Sequence, residues 1–350
     1  MPSARTPHVS TIAAVPAVAA DGPRPAWSVM IPTTGRSPWL AQAIASALHD
    51  DPGPAQLEVA VLDNAASDPA TIAAAIGPHR ERVQWVRTAT PLGMAANWNR
   101  ALAGARGRWV LVLHDDDALA PGCLHRYAAA LASAPQAVAV HGRSPTIAGD
   151  GAAISAGKCP PGHAGTGIVD DALAKLTLGN FVAASSMAVS RELLARVGGF
   201  DDALRFAADW ELWLRVAAAG PLLFVDEPST LRRIHPAAET LRRARTAENV
   251  AEIALCVRRG LALLPPPRRR ATAHRAWANA AAHAHGWHTR FRREHELRPA
   301  LAHALWTLRL TLLASATRHF GDRHFGDGFK SGARMGTGSD LASAPRRTQP

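Results

Sequence analysis

The chain has 350 residues, 47% of them apolar, and 39 Lys/Arg against 28 Asp/Glu give it a formal net charge of +11. Such a length and apolar share can bury a sizeable core, which excludes a disordered polyelectrolyte and leaves one large or two ordinary domains. Cys123, Cys159 and Cys256 are odd in number and in no CxxC or Cys/His spacing, which argues against a disulfide framework or a zinc site and for a reducing cytoplasm.

Residues 1–25 contain a short apolar stretch broken by Pro16 and lack a compact basic start, so the sequence reads as a disordered leader and not a signal peptide. Short runs rich in valine follow: "WSVMI" at 27–31, "LEVAVLD" at 57–63, "VQWVR" at 83–87 and "RWVLVL" at 108–113. Buried parallel strands have this composition. Segments 38–49, 69–76 and 94–105 read as the helical crossovers that parallel pairing requires. The expected architecture is therefore α/β, a mostly parallel sheet flanked by helices, and ligands gather beyond the carboxyl ends of such strands. That edge receives "PTTGR" at 32–36, "DNAASD" at 63–68 and "HDDD" at 114–117. No GxxxxGK[ST] follows any strand and no GxGxxG follows the first, which disfavours a P-loop and a dinucleotide fingerprint.

Asp115, Asp116 and Asp117 stand together against their mutual repulsion. A solvated acidic turn or an N-cap for the helix after Pro121 would account for them. A divalent ion such as Mg²⁺ or Mn²⁺ would account for them equally, since hard cations take carboxylate ligands and share them with phosphates. Further on, "FAADWELWLR" starts a helix near Asp209, with Trp210, Trp213, Leu214 and Ala217 as an apolar stripe. An N-cap is the local reading of Asp209. "STLRRI" at 229–234 reads as a strand that delivers His235, a residue whose plain alternative is packing.

"PPPRRR" at 265–270 marks a joint. Residues 261–350 hold 15 Lys/Arg against 5 Asp/Glu, a net of +10, which leaves the first 260 residues near +1. The second part is basic and helical in pattern, and no stretch approaches the apolar length of a membrane span. His283, His285 and His288 lack a metal-binding helical spacing and read as a solvated face. No nucleic-acid module is present, so no nucleic acid is expected as partner. Peripheral contact with anionic lipid is the expected use of the charge. The tail 326–350, rich in Gly, Ser, Arg and Pro, reads as disordered.

Taken in order, "SVMIPTTGRSPWLAQAIASAL", "EVAVLDNAASD", "PLGMAANWNRALAGARGRWVLVLHDDDALAPG", "GGFDDALRFAADWELWLRVAAAG" and "RRIHP" resemble the successive blocks of the family 2 glycosyltransferases, which have the GT-A fold. The resemblance covers residues 27–236. It implies a GT-A domain over 26–236 and, behind it, a helical basic extension over 237–325. It also implies transfer of a sugar from a nucleotide-diphosphate-sugar donor to an acceptor hydroxyl with inversion, in bacterial surface polysaccharide or glycoconjugate synthesis. The donor expected from it is a UDP-sugar, and the acceptor a glycan or lipid-linked sugar at the inner face of the membrane.

By that resemblance Pro32, Thr33, Thr34 and Arg36 lie along the nucleotide, Asp63 and Asn64 meet the base, and Asp115 and Asp116 face the diphosphate. Mn²⁺ or Mg²⁺ is held by Asp115, Asp116, Asp117 and His235. Asp209 is implied as the general base, and Asn180, Ser185, Ser186 and Trp210 as the acceptor pocket. Three departures accompany the match: His114 stands where many relatives have an acid, Ala208 replaces an acidic neighbour of Asp209, and Thr34-Gly35 replace an aromatic residue and Asn, which leaves the base open. A non-catalytic binder of the same fold and a sugar nucleotidyltransferase are the alternatives; the Gly-rich, Arg-containing loop of the latter is missing from "PTTGRSP".

Overall fold

A computed structural model describes residues 12–18, 23–65, 68–235 and 239–318. Twelve strands occur among them: β1 (Trp27–Thr33), β2 (Leu57–Asp63), β3 (Val83–Arg87), β4 (Trp109–Val112), β5 (Ala118–Leu119), β6 (Ala139–Arg143), β7 (Thr146–Ile147), β8 (Ala153–Ser155), β9 (Gly167–Ile168), β10 (Ala188–Ser190), β11 (Leu222–Pro228) and β12 (Thr230–Arg233). The helices are α1 (Leu40–Ala47), α2 (Pro69–Ile76), α3 (Met94–Gly104), α4 (Cys123–Ser133), α5 (Ala172–Leu178), α6 (Arg191–Val197), α7 (Ala208–Ala219), α8 (Glu239–Ala244), α9 (Glu248–Leu263), α10 (Pro266–Arg293) and α11 (Leu297–Thr317).

Eight strands form one sheet in the order β3-β2-β1-β4-β10-β6-β11-β9. The first four are parallel, and β10 enters antiparallel between β4 and β6. Every residue of β1 and β2 is buried, because helices cover both faces. On one face Val29, Ile31, Val59 and Val61 meet Leu40 and Ile44 of α1 and Ile72 of α2. On the other, Met30, Ala60 and Leu62 meet Ala101 and Leu102 of α3, in a cluster that extends to Trp213 of α7 and Cys256 of α9. The period-2 alternation of these strands thus sorts one residue to each layer.

Register decides what reaches the carboxyl edge. Thr33 pairs with Asp63 across β1 and β2, and Met30 pairs with Val112 across β1 and β4, so the chain leaves β4 at the same edge. The order of the strands runs outward from β1 in both directions, the switch point at which open α/β sheets bind ligands.

A second, four-stranded sheet runs β5-β12-β7-β8. The strand expected at 229–234 is β12. It pairs antiparallel with β5, Thr230 opposite Leu119 and Leu231 opposite Ala118, which returns the chain to the end of the aspartate cluster.

The helical C-terminal region docks on this body, α9 against α5 and α7, and α10 against α5, α9 and α11. Small residues on α10, Ala276, Ala280 and Ala284, are buried in the shared core. His283 and His288 depart from the solvated face expected of them. Trp287 Nε1–H donates to His283 Nε2 at 3.0 Å, and His288 Nδ1 lies 2.8 Å from the carbonyl oxygen of Ala300. Their spacing turns both rings toward neighbouring groups, and burial lowers His283 to about 4; His285 alone is exposed.

Part of the segment read as a leader is packed. Ile12 bridges Asp201, Val15 is buried, and Arg191 donates to the carbonyl of Pro16 at 2.7 Å. The apolar residues that suggested a leader thus sit against the turn ahead of α7. The tail 326–350 lies outside the described residues.

Candidate active site

The cleft is built at the ends of β1, β2 and β4. Thr33 Oγ1 donates to Asp115 Oδ2 at 2.5 Å and accepts the backbone N–H of Gly35 at 2.8 Å. Ser37 Oγ donates to the carbonyl of Asp115 at 2.7 Å. These bonds tie the loop after β1 to the loop after β4. Pro32 is buried beneath them, whereas Thr34 and Arg36 are exposed. Burial pushes the Asp115 carboxyl up to about 6, against the Thr33 hydroxyl, which lowers it; neighbouring Asp116 raises it further. Gathering carboxylates in a half-buried loop costs free energy that a cation would offset.

Asp117 is held most firmly. Its Oδ2 accepts from Ser185 Oγ at 2.7 Å and its Oδ1 accepts the backbone N–H of Arg233 at 2.9 Å. Burial and the charge of Asp116 push its pKa up. Asp116 Oδ2 lies 3.0 Å from His235 Nε2. The His235 ring packs on Trp39 with centroids 4.9 Å apart, and Trp39 also carries the Arg233 guanidinium at 4.9 Å. Arg233 binds the carbonyls of Asp116 and Ala148 and the side chain of Gln42. It fastens the cluster to α1 and to the second sheet.

His114, the departure noted in the sequence, belongs to the same cluster. It stacks on Trp98 at 4.8 Å, its backbone N–H donates to Ser185 Oγ, and its Nδ1 lies 3.9 Å from Asp117 Oδ2. Its Nε2 is buried with no hydrogen-bond partner among the described residues. Ligand atoms of His114, Asp116 and Asp117 all lie within 4.8 Å of one another. One imidazole nitrogen and two carboxylates are donors that Mn²⁺ accepts, so the residues fit a divalent ion. Asp115, paired with Thr33, lies outside this group.

At the end of β2, Asp63 is fully buried and both its oxygens are engaged. Oδ1 accepts the N–H of Ala65, and Oδ2 accepts from Trp85 Nε1 at 3.1 Å and Arg87 at 2.7 Å. Asn64 exchanges two bonds with the backbone of Leu92. Both residues therefore shape the loops that border the cleft.

Asp209 opens α7. Its Oδ1 accepts the N–H of Trp210 at 2.7 Å and its Oδ2 accepts from Asn180 Nδ2 at 3.3 Å. Burial pushes its carboxyl up to about 6; the Trp210 N–H, His114 and Asn180 pull the other way. The N-cap reading does not hold, since Ala207 occupies the N-cap position and Asp209 is the second residue of the helix. Glu252 of α9 accepts the backbone N–H groups of Arg205, Phe206 and Ala207, the last two at 2.8 Å.

Of the four residues expected to form the acceptor pocket, Asn180 reaches Asp209. Ser185, Ser186 and Trp210 are 1%, 0% and 6% exposed. Ser185 serves Asp117, Ser186 Oγ donates to the carbonyl of Ala183, and the Trp210 indole donates to the carbonyl of Leu176. Their polar atoms are thus paired within the fold. Sequence reading passed over Trp98, Arg233 and Glu252. Arg233 lies within the quoted "RRIHP", two residues before His235, whereas nothing in the local pattern of Glu252 signals its bonds to the turn before α7.

Residues 28–184 match the family model described as Glycosyl transferase family 2. An uncharacterized protein of Mycobacterium tuberculosis, MT1568, is 26% identical over 252 residues, which span 67% of this chain and 75% of that protein. Among solved structures, S. aureus TarS 1–349 in complex with UDP-GlcNAc is similar with a TM-score of 0.51 at 12% identity, over 86% of this chain and 93% of that one. The mannosyltransferase PcManGT from Pyrobaculum calidifontis, in complex with GDP-Man and Mn²⁺, gives a TM-score of 0.51 at 22% identity, over 86% of this chain and 88% of that one. The α/β fold read from the sequence is the fold of these proteins, and the resemblance to family 2 stands on the match to its model.

Proposed function

We propose that this chain, a family 2 glycosyltransferase by its residues 28–184, moves a sugar from a nucleotide-diphosphate-sugar to an acceptor hydroxyl with inversion. The observation that carries the reading is the group at the end of β4, where ligand atoms of His114, Asp116 and Asp117 lie within 4.8 Å of one another. Asp209, buried at the start of α7 and bonded to Asn180, is the carboxylate this reading takes as the base. Transfer requires a diphosphate site and a base beside one another, and this reading assigns the first to that group and the second to Asp209.

Asp209 in its ionised form accepts the proton of the acceptor hydroxyl while that oxygen attacks the anomeric carbon. Asn180 orients the carboxylate through its bond to Oδ2. Attack from the face opposite the leaving diphosphate inverts the centre. A divalent ion, Mn²⁺ or Mg²⁺, held by His114, Asp116 and Asp117 would supply Lewis-acid stabilisation of the diphosphate. His235 and Arg233 hold the Asp116 side chain and backbone in place. Exposed Thr34 and Arg36 present polar groups where the nucleotide would lie. The GT-A unit of this reading spans 26–236, with 237–325 as its helical extension.

The acceptor in this reading is a glycan or lipid-linked sugar of surface polysaccharide or glycoconjugate synthesis, used at the cytoplasmic face of a membrane. A UDP-sugar is the donor of first choice, and the base is settled by screening nucleotide-sugars with Mn²⁺ for thermal stabilisation. The deciding experiment is donor turnover by wild type and Asp209→Asn with the stabilising donor. Loss of turnover with retained donor binding supports the reading. Equal rates remove Asp209 from the chemistry, and absence of turnover with every donor favours a non-catalytic binder.

A further inference from the structure

Helix α11 carries an apolar face that nothing covers among the described residues. Leu297, Leu301, Leu305, Leu308 and Leu312 are between 60% and 75% exposed. Their spacing of four, four, three and four sets them on one side of the helix. The opposite side, with Ala300, His303, Leu310 and Ala314, is the one buried in the protein. A ridge of five leucines is larger than the scattered apolar residues an ordinary surface shows.

Charge identifies what the ridge meets. From Leu297 to Thr317 the helix holds Arg298 and Arg309 and no acid, and residues 261–318 hold ten arginines against two glutamates. At 100° per residue Arg298 and Arg309 flank the leucines on one side. A second copy of this chain would bring two acid-free faces together, with no carboxylate to meet either arginine. Anionic lipid headgroups would meet both. No helix of the described residues is long and apolar enough to cross a membrane, and an apolar face bordered by arginine is suited to lying in the interfacial plane.

We propose that α11 docks the protein on an anionic phospholipid surface, with its leucine ridge at the headgroup–acyl boundary and Arg298 and Arg309 at the phosphates. This specifies the membrane contact of the proposed function but stands without the transferase reading, because its readout is partition of the protein and not turnover.

The test is flotation of the full chain with vesicles of phosphatidylcholine alone or mixed with phosphatidylglycerol, using wild type, Leu301→Ser/Leu308→Ser and Arg298→Gln/Arg309→Gln. Binding is expected to the mixed vesicles, about tenfold or more weaker for the leucine variant, and weaker and less salt-sensitive for the arginine variant. Circular dichroism of the variants should match wild type, since the replaced side chains are exposed. Equal binding of wild type and leucine variant overturns the proposal. So does failure to bind, including the case where wild type is a dimer that the leucine variant dissociates; that result assigns the ridge to a second copy.

Discussion

His235 Nε2 lies 3.0 Å from Asp116 Oδ2, a contact between residues 119 positions apart. It exists because β12 pairs with β5 and because Trp39 backs the imidazole ring. A residue that orients a metal ligand acts on affinity more than on folding, typically by 10- to 100-fold. His235→Ala is therefore expected to raise the Mn²⁺ concentration needed for turnover by about that factor. A Mn²⁺ titration of donor turnover measures it, and superimposable curves for variant and wild type would refute the role.

Asp209 must be ionised to accept a proton, and burial holds its pKa at about 6. Turnover is accordingly expected to rise with pH through about 6 and level off above it. Asn180 stabilises the ionised form through its bond to Oδ2, so Asn180→Ala should move the midpoint upward. Replacing the base, Asp209→Asn, is expected to slow transfer by about 10²- to 10⁴-fold while donor affinity is kept. A pH–rate profile whose midpoint is the same in wild type and Asn180→Ala would show that this carboxylate does not govern the rise.

Glu252 secures the start of α7 from a different part of the chain, accepting three successive backbone N–H groups. They belong to the N-cap residue Ala207 and the two residues before it, so Glu252 fixes the turn that leads into α7, and an anion there also meets the positive end of the helix dipole. Glu252→Gln keeps the shape but loses the charge, and is expected to cost about 1–2 kcal/mol. Because Asp209 stands only two residues beyond Ala207, turnover should fall further than stability alone explains. Urea unfolding and turnover measured on the same preparation separate the two effects; a stability loss with unaltered turnover would leave Glu252 a purely structural cap.

The strands of the sheet were readable because each is a short valine-rich run ended by turn residues, and 57–63 and 83–87 coincide with β2 and β3. The small second sheet was not: β5, β7 and β8 are two or three residues long and have no period to detect. That gap matters, because β5 and β12 decide which side chains face Asp116. Adjacency in sequence suggested Asp115, Asp116 and Asp117 as equals, yet Thr33 takes up Asp115 while His114 turns toward Asp117. Ser185, Ser186 and Trp210 show the converse. A polar turn and a helix start look accessible in one dimension, whereas the folded chain pairs their polar atoms with Asp117 and the carbonyls of Ala183 and Leu176.

His141 gives the protein an acid-sensitive group outside the cluster of His114, Asp116 and Asp117. The ring is 1% exposed, packs near Phe181 and Phe224, and has an Nε2 without a hydrogen-bond partner among the described residues. Burial lowers its pKa from 6.5 to about 3. Between those values the unfolded chain binds the proton and the folded one does not, so this residue removes stability as pH falls below about 6.5. Asp115 and Asp209 act oppositely, since each is raised to about 6 and the folded state binds their protons first. They add stability over the acid range and mask the histidine in wild type. His141→Phe should uncover them, because an apolar ring of similar size keeps the packing and discards the orphaned nitrogen. Relative to wild type, the variant is expected to gain about 2 kcal/mol between roughly pH 7.5 and pH 5, at about 1.4 kcal/mol per pH unit below 6.5. Urea unfolding of both proteins at the two pH values measures this difference, and a stability gap that does not change with pH would mean that the His141 ring reaches solvent in the folded state.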